Sequence, residues 1–470
     1  MEAPDPYRAA LARWQVTVRS TPLPDTGGRA DSPRVFLECT STFFSRYNTG
    51  IQRASRNLVD AALAAKGPGA CSAIVYNGRY FVSIDALPER PAHALRPTPV
   101  DLLRETFHRA RAGAIRALPG PAVRDALHSQ RLEYSLRRIV HAFQNATRWL
   151  HSFGAGEERR VVFRRDDVLV LLDPAWSIDL SVELRRARAA GARIWIVIND
   201  LIPIAYPDLA PEGSAIMLER WLRRVTPYAE GMLAISRTVA SELRTYLAQM
   251  KVVTTPSRIE YFYLGAGLGR IEAEPPRVAF QTIFRGAPVY LTVGTIEPRK
   301  NHALILDVFD RMWAEGVDTN LMIFGRLGWR SHELELRIRA HPQFGRRLLW
   351  LDAGSDTELD YAYRHASALI FASRCEGFGL PLVEAMQYGL RVFASDIPVF
   401  REIGADFPVY FDPDDKWMLY DAIRRFEAAL AQGEPATRTA RAWPSWAESA
   451  RVLLEKVCAR SRFEHSPYRT

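Results

Sequence analysis

Short apolar runs alternate along this chain with longer segments that show helical periodicity. Apolar runs of about four to eight residues, bounded by polar ones, are typical of buried strands. In the first half they predict strands near 34–39, 71–84, 168–173, 193–200 and 232–236. In the second half they predict strands near 289–294, 321–324, 348–351, 368–372 and 392–395. Strands that alternate with helices favour parallel sheets covered on both faces.

The two alternating halves predict an α/β fold with two doubly wound domains. Helices are expected at 49–65, from 174 to about 190, and at 302–313, 333–340 and 447–457. A chain of 470 residues exceeds what one core ordinarily holds. We therefore expect two domains with a cleft between them, and ligands at the carboxyl ends of the strands.

Changes in composition indicate where these domains begin and end. Residues 1–32 are rich in Pro, Gly and Asp, which is typical of a flexible arm. Residues 271–288 carry Pro and Glu and are interpreted as a linker. The domains are then expected at 33–270 and 289–440. The remaining residues, 441–470, are expected to form a helix that packs back on the N-terminal domain, and a tail.

Basic residues exceed acidic ones and concentrate in one helical stretch. The formal net charge is +9, and residues 97–150 carry many arginines at helical spacing. This insertion has two interpretations: an ordinary solvated helical face, or a surface for anionic lipid or a lipid-diphosphate acceptor. No zinc-finger, helix-turn-helix or RNA-binding pattern occurs, so we expect no nucleic-acid partner.

The distribution of apolar residues also bears on location. No apolar run approaches the roughly 20 residues of a membrane-spanning helix. The first residues, MEAPDPYRAALARW, lack an apolar signal core and a cleavage site. The protein is therefore expected in the cytoplasm, with peripheral contact to the cytoplasmic face of the inner membrane as an open possibility.

The segment RCEGFGLPLVE, which ends at Glu384, carries the most specific chemical pattern. It follows a predicted strand, and Gly377 and Gly379 let its backbone bend tightly and approach a ligand. Pro381 suits the first helical position, because its missing N–H has no intrahelical partner there. Glu376 is thus predicted on a loop at the strand's carboxyl end, with Glu384 about one turn into the helix. This arrangement is typical of a nucleotide-sugar site.

A second polar segment, GTIEPRKN, follows the first predicted strand of the second domain. It contains Gly294, Thr295, Arg299 and Lys300, and it comes just before a helix. Arginine offers a planar fork of donors and lysine a point charge, so that together they could neutralise a departing diphosphate. The alternative is a solvated basic loop. The two-glutamate loop on the same predicted sheet edge favours the phosphate role.

Two polar pairs in the first domain also fall at the predicted ligand edge. Thr49 and Gly50 lie at the first strand-to-helix turn, where a glycine allows backbone N–H groups to approach a phosphate. Asn199 and Asp200 end a predicted strand. Such a pair either caps a loop or contacts a sugar, and the pattern alone does not decide between these roles.

Taken together, these residues resemble the retaining glycosyltransferases of family 4. The family's signature of two glutamates separated by seven residues is matched by Glu376 and Glu384. Lys300 and the Gly50 loop match as well, and the resemblance covers about residues 33–457. The wording NTGIQR, NDLIPIAYP, EPRKN and SRCEGFGLP is similar to bacterial O-antigen and capsule enzymes, many of them mannosyltransferases. The resemblance implies the GT-B fold, in which two Rossmann-like domains face each other across a cleft.

The resemblance also implies a role for each matched residue. Glu384 is expected to hold the hydroxyls of the nucleotide ribose, and Glu376 to lie beside the hydroxyls of the donor sugar. Lys300, with Arg299, is expected to stabilise the leaving diphosphate. Gly50 is expected to contact the same phosphates from the other domain.

Two positions depart from the family pattern. Many members carry an arginine where this chain has Thr295, and Arg299 is expected to substitute for it. Many also carry a histidine where this chain has Asn199, which can hydrogen-bond a sugar but cannot titrate near neutral pH. The expected catalytic residues are Glu376, Lys300, Arg299 and Asp200. The expected donor-binding residues are Thr49, Gly50, Asn199, Gly294, Thr295, Gly377, Phe378, Gly379, Leu380 and Glu384.

The function implied is metal-independent and cofactor-free transfer of a hexose with retention of configuration. Mannose from GDP-mannose is the favoured donor, and a growing surface polysaccharide or lipid-linked glycan is the expected acceptor. Two other interpretations stay open: a nucleotide-sugar epimerase of the same fold, and a non-catalytic scaffold for glycan assembly. A phosphorylase of this architecture is disfavoured, because it needs a lysine for pyridoxal phosphate and lysines are scarce here.

Overall fold

The structure is a computed structural model. It describes residues 33–45, 49–67, 69–87, 160–250, 256, 258–268, 275–352, 354–433, 435 and 439–459. The predicted arm at 1–32 and the predicted basic insertion at 97–150 lie outside the described residues. Within the described ranges, no helix combines the length and the apolar character that crossing a membrane requires.

The N-terminal half forms a seven-stranded sheet flanked by helices. Its strands are β1 (Val35–Glu38), β2 (Cys71–Tyr76), β3 (Phe81–Ile84), β4 (Val168–Leu171), β5 (Arg193–Ile198), β6 (Gly231–Ala234) and β7 (Arg258–Tyr261). Its helices are α1 (Thr40–Phe44), α2 (Gly50–Lys66), α3 (Ser181–Ala189), α4 (Ile202–Ala205), α5 (Ser214–Val225) and α6 (Arg237–Gln249). The strand order is β3-β2-β1-β4-β5-β6-β7, and only the β2–β3 pair is antiparallel.

The apolar run at 71–84 is a hairpin rather than one strand. Gly78 takes a left-handed conformation with φ of 98°, which lets the chain reverse between β2 and β3. The side-chain oxygen of Asn77 accepts hydrogen bonds from the backbone N–H groups of Arg79 and Tyr80, at 2.9 and 3.0 Å. This turn chemistry was not part of the prediction. The other strands of this half match the expected apolar runs, apart from β7, whose sequence RIEY is too polar for that criterion. In the C-terminal half, the short strand Val409–Phe411 was not predicted either.

The C-terminal half forms a second sheet of six parallel strands. They are β8 (Val289–Val293), β9 (Asn320–Phe324), β10 (Leu348–Leu351), β11 (Ala368–Phe371), β12 (Arg391–Ser395) and β13 (Val409–Phe411), in the order β10-β9-β8-β11-β12-β13. The remaining helices are α7 (Val278–Thr282), α8 (His302–Ala314), α9 (His332–Arg339), α10 (Asp356–His365), α11 (Leu380–Gln387), α12 (Pro398–Gly404), α13 (Lys416–Ala431) and α14 (Trp446–Cys458). The strand order reverses between β8 and β11, so the loops that follow these strands meet at the switch point where such sheets bind ligands.

The range interpreted as a linker contains structure of its own. Helix α7 lies inside it, and Phe280 of this helix is buried. The ring of Phe280 contacts those of Phe284 and Tyr361, at centroid distances of 5.3 and 6.1 Å. Residues 278–285 therefore pack against α10 of the C-terminal half instead of forming an extended connection.

Helix α14 crosses back and packs along α2 of the N-terminal half. Ser445 caps its first turn by accepting a hydrogen bond from the N–H of Glu448, at 3.2 Å. Near its other end, Lys456 pairs with Glu260 at 2.6 Å. Helix α14 thus packs on the N-terminal half although it follows the C-terminal half in sequence, and it links the two halves.

Candidate active site

The loop between β11 and α11 contains a glycine that both its backbone conformation and the packing around it require. Gly379 has φ of 105° and precedes the helix. A Cβ atom there would lie 2.9 Å from Phe400 and 3.1 Å from Phe371, so a larger residue would strain both the backbone and the core. Helix α11 begins at Leu380, one residue earlier than predicted, and Pro381 takes its second position. The missing N–H of Pro381 is tolerated there as well, because the first-turn N–H groups lack intrahelical partners.

Glu376 lies at the centre of a partly buried polar cluster. Its carboxylate is 2.5 Å from Nζ of Lys300 and 2.7 Å from Nη1 of Arg299. The hydroxyl of Ser373 donates a third contact at 2.9 Å. Burial opposes the charged form, but the two cations outweigh it and lower the pKa of Glu376 to about 2. Glu376 is therefore an ionised acceptor throughout the physiological pH range.

Arg299 connects this cluster to two further carboxylates. Its Nε lies 2.7 Å from the carboxylate of Glu297. Burial disfavours the guanidinium charge, but Glu376, Glu297 and Asp200 together raise the pKa of Arg299. Asp200 belongs to the N-terminal half, and burial raises its pKa despite the attraction of Arg299. The cluster thus spans both domains electrostatically.

Lys300 is enclosed by an aromatic ring and a glycine. Its ammonium lies 4.9 Å from the centre of the Phe371 ring, within cation–π range. A Cβ atom at Gly294 would lie 3.3 Å from Cε of Lys300, so the side chain runs directly over this glycine. Burial lowers the pKa of Lys300, although Glu376 acts in the opposite direction. Gly294 and Lys300, predicted in one segment, are therefore in contact.

Thr295 follows Gly294 on the same loop. A Cβ atom at Gly328 would lie 2.7 Å from the methyl carbon of Thr295, so this side chain packs against the loop after β9. The Thr295 methyl thus faces a neighbouring loop of its own domain.

Glu384 is buried inside α11 and does not face open space. Only 1% of its surface is exposed, and Tyr363 donates its hydroxyl to Oε2 at 2.8 Å. Arg53 of the N-terminal half forms an ion pair with Oε1. Burial strongly raises the pKa of Tyr363, which keeps this phenol a hydrogen-bond donor. The carboxylate predicted to hold a ribose is thus occupied by two protein partners.

The two halves touch at the glutamate loop. A Cβ atom at Gly377 would lie 2.1 Å from the carbonyl oxygen of Asn199, so only glycine fits against that strand end. Ser236 donates its hydroxyl to the carbonyl of Gly377 at 2.9 Å. Beside this contact, Glu402 accepts hydrogen bonds from the N–H groups of Arg237 and Thr238 at the start of α6, both at 2.7 Å. The loop is therefore held from both sides of the cleft.

Thr49 and Gly50 begin α2, as predicted. Thr49 and Gln52 form a reciprocal capping box at its first turn. A Cβ atom at Gly50 would meet nothing within 4 Å, so packing does not require glycine there and leaves room for a ligand. Among the described residues, no hydrogen bond or ion pair joins Thr49 or Gly50 to the Glu376 cluster.

The side chains of Phe378 and Leu380 pack into the hydrophobic core. The Phe378 ring is 3% exposed and contacts the rings of Trp443 and Tyr263, at 5.9 and 6.3 Å. Leu380 is also buried. The binding role predicted for these residues therefore rests with their backbone N–H groups.

Four residues of this region were missed by the sequence analysis: Arg53, Glu297, Tyr363 and Ser373. Arg53 and Glu297 fall within the segments NTGIQR and GTIEPRKN, so their charge was a usable signal. Tyr363 and Ser373 carry no pattern that marks them. They join the site only because α10 packs beside α11 and because Ser373 shares a turn with Glu376.

The arrangement of two facing domains is the GT-B glycosyltransferase fold. The sucrose-phosphate synthase of Thermosynechococcus elongatus is similar with a TM-score of 0.53, at 17% identity, over 91% of this chain and 95% of that chain. The α,α-trehalose 6-phosphate synthase of Burkholderia multivorans is similar with a TM-score of 0.50, at 12% identity, with the same coverage of both chains. At such identities the likeness shows the fold alone. The predicted fold class is thereby confirmed.

Sequence comparisons add to this. Residues 278–440, in the C-terminal half, match the model of the family described as Glycosyl transferases group 1. The serotype-specific mannosyltransferase WbdA of Escherichia coli is 34% identical over 330 residues, which cover 67% of this chain and 40% of that protein. The O-antigen chain mannosyltransferase B of Escherichia coli is 28% identical over 221 residues, covering 46% and 56%. The chain thus spans about 40% of the length of its WbdA relatives.

Proposed function

We propose that this chain is a retaining glycosyltransferase that moves mannose from GDP-mannose to a growing surface polysaccharide or lipid-linked glycan. The observation that carries the proposal is the cluster of Glu376, Lys300 and Arg299 at the switch point of the second sheet, opposite Asp200 of the first. Similarity to proteins named as O-antigen mannosyltransferases favours mannose and a glycan acceptor.

The cluster suits a reaction in which negative charge develops on a leaving diphosphate. An ammonium group has three N–H donors and a guanidinium five, so Lys300 and Arg299 can hold Glu376 and still donate to phosphate oxygens. Their charges are already partly removed from water and oriented by the protein, so little reorganisation accompanies the reaction. In this scheme Glu376 orients the two cations and accepts hydrogen bonds from the donor sugar.

Retention follows if the acceptor attacks from the face that the diphosphate leaves. The bond from the anomeric carbon to the phosphate oxygen breaks, and the bond to the acceptor oxygen forms. The acceptor's proton passes to the departing phosphate oxygen, so atoms and charge balance without a protein nucleophile. The protein then contributes position and electrostatic stabilisation, and Asp200 hydrogen-bonds hydroxyl groups from the acceptor side of the cleft.

A transfer assay tests this proposal and separates it from both alternatives. The purified chain is incubated with GDP-mannose and a mannose-terminated acceptor, and products are followed by mass spectrometry and by the anomeric signals in NMR. A mannosylated acceptor with an α linkage supports the proposal. A change of the donor sugar without any acceptor would favour the epimerase, and donor binding without product would favour the scaffold.

A lipid-linked acceptor would bring the enzyme to the cytoplasmic face of the inner membrane as a peripheral protein. The arginine-rich residues 97–150 supply the charge that such a contact needs. Sedimentation with vesicles tests this part separately. Binding to anionic vesicles that salt reverses is expected, and equal binding to zwitterionic vesicles would contradict it.

A further inference from the structure

The side chain of Arg53, a residue of the N-terminal half, reaches a buried carboxylate of the C-terminal half. It belongs to the first turn of α2, where its N–H donates to the carbonyl of Thr49 at 2.8 Å. Its side chain is 14% exposed and reaches Glu384, whose other oxygen holds Tyr363. Asp356 at the start of α10 adds a further attraction. One arginine therefore connects the predicted phosphate loop to the predicted ribose carboxylate.

One N–H group of the Arg53 guanidinium lacks a hydrogen-bond acceptor among the described residues. This group, the Nε–H, is buried. Burial, the main influence, lowers the pKa of Arg53, while Tyr363 and Asp356 act in the opposite direction. A buried cationic donor without an acceptor is costly. The position therefore fits a ligand with several acceptor oxygens, which a diphosphate provides.

Glu384 needs further hydrogen-bond donors, as Arg53 needs a further acceptor. A carboxylate with 1% exposure needs donors, and Tyr363 supplies one. The two vicinal hydroxyls of a ribose would supply the others if Arg53 moved away. Since Thr49 and Gly50 begin the helix that carries Arg53, a phosphate at that turn would lie within reach of a rotated Arg53 side chain.

We propose that Arg53 binds the donor's diphosphate and that donor binding exchanges its partner. Without donor, Arg53 neutralises Glu384; with donor, the ribose hydroxyls take its place on Glu384 and the guanidinium turns to the phosphate oxygens. Arg53 thereby couples nucleoside recognition in one domain to phosphate recognition by the other. This inference rests on the proposed function, because it takes a nucleotide-sugar as the ligand.

Calorimetric titration of matched ligands tests the exchange. GDP, UDP, ADP and dTDP are each titrated beside the corresponding nucleoside into wild type, Arg53→Gln and Glu212→Gln. The control removes an ion pair that also joins the two domains, between Glu212 and Arg330 at 2.5 Å. We expect Arg53→Gln to weaken binding of the diphosphate by about tenfold or more, while its nucleoside binds equally or more tightly because Arg53 no longer competes for Glu384. The control should change neither.

Three results would overturn the inference while leaving the proposed function intact. Equal weakening of diphosphate and nucleoside would make Arg53 a structural residue. Tighter binding of both would make it only an obstruction, and unchanged binding of both would make it dispensable. If Arg53→Gln does not fold, Arg53→Lys carries the same comparison, since lysine keeps the charge but loses the bidentate fork. A wild-type protein that binds no nucleotide would instead contradict the proposed function and the inference together.

Discussion

The Lys300 ammonium and the Glu376 carboxylate form a direct ion pair at 2.5 Å although 76 residues separate them in the chain. They meet because Lys300 follows β8, Glu376 follows β11, and these two strands pair side by side. Parallel strands carry their following loops to one edge of the sheet. The pair is therefore a consequence of topology, and it holds in place the Lys300 ammonium, the positive charge on which the proposed reaction depends.

Replacing Lys300 by alanine should strongly slow transfer while the fold is retained. The change removes a cation from beside the leaving phosphate and leaves Arg299 to hold Glu376 alone. Losing one such preorganised charge costs about 100- to 1,000-fold in kcat. Circular dichroism should stay unchanged, and product formation measures the loss. Lys456→Ala, which removes the ion pair between Lys456 of α14 and Glu260 of β7, is the matched control. Transfer by Lys300→Ala at the control's rate would contradict the assigned role.

Much of this site could be predicted, because its parts follow local rules. Glycines, a proline and carboxylates around a strand end identify the Glu376 loop. A basic pair before a helix identifies Lys300, and an apolar run before each segment identifies the strand that carries it. Each signal lies within about ten residues, so one sequence sufficed. The Gly78 turn was missed although its signal is equally local, because the apolar run was interpreted as a single strand.

The contacts between domains could not be predicted. Arg53 and Glu384 lie 331 residues apart by their numbers, and nothing in either segment indicates that the other neutralises it. Tyr363 is likewise an ordinary apolar position of an amphipathic helix until packing brings it to Glu384. Such pairs depend on how two independently folded sheets dock, which local periodicity does not encode.

Glu384→Gln should weaken nucleotide binding through the ribose alone. The amide is nearly the same size, but it is a weaker acceptor for the two ribose hydroxyls than a carboxylate. We expect about tenfold weaker binding of GDP by calorimetry, and no weakening for 2′,3′-dideoxy-GDP, which lacks both hydroxyls. If the variant loses the same factor for both ligands, Glu384 stabilises the fold rather than the ribose.

Gly50→Ala should separate stability from donor binding. The added methyl meets open space, and alanine favours a helix over glycine, so the free energy of unfolding should stay equal or rise by about 0.5–1 kcal/mol. The same methyl would stand between the backbone and a phosphate, so donor affinity should fall about tenfold. Urea denaturation and donor titration give the two numbers. Unchanged donor affinity would remove Gly50 from the site.

Gly377→Ala, unlike Gly50→Ala, is expected to disturb the packing between the two domains. Its methyl would overlap the carbonyl oxygen of Asn199, which belongs to the other domain, so the cleft would have to open. Activity should fall strongly, and small-angle scattering should show an expanded particle relative to wild type. A variant of unchanged dimensions and full activity would mean that the Gly377–Asn199 contact does not form in the working enzyme.

His302 should make the protein less stable below neutral pH. Burial first and Lys300 second lower the pKa of His302 to about 3, from an ordinary value of 6.5. Between these values the unfolded chain binds a proton that the folded chain does not, so stability falls as pH falls from 6.5. The loss is about 1.4 kcal/mol per pH unit at most.

His302→Leu should remove this slope, because neither ring nitrogen has a hydrogen-bond partner among the described residues. Urea denaturation of both proteins from pH 7 to 4.5 measures the difference in their free energies of unfolding. That difference should shift by about 2–3 kcal/mol in favour of the variant across this range. Parallel profiles would show that His302 is protonated in the folded state.

The most direct test of the central claim is a thermal-shift screen against GDP-, UDP-, dTDP-, ADP- and CMP-linked sugars and their free nucleotides, on wild type and Glu384→Gln. A ligand that binds only the folded state raises the melting temperature. We expect a selective rise with GDP-mannose and GDP, and a smaller rise in the variant. A wild-type protein that none of these ligands stabilises would contradict a nucleotide-sugar site at Glu376 and Glu384.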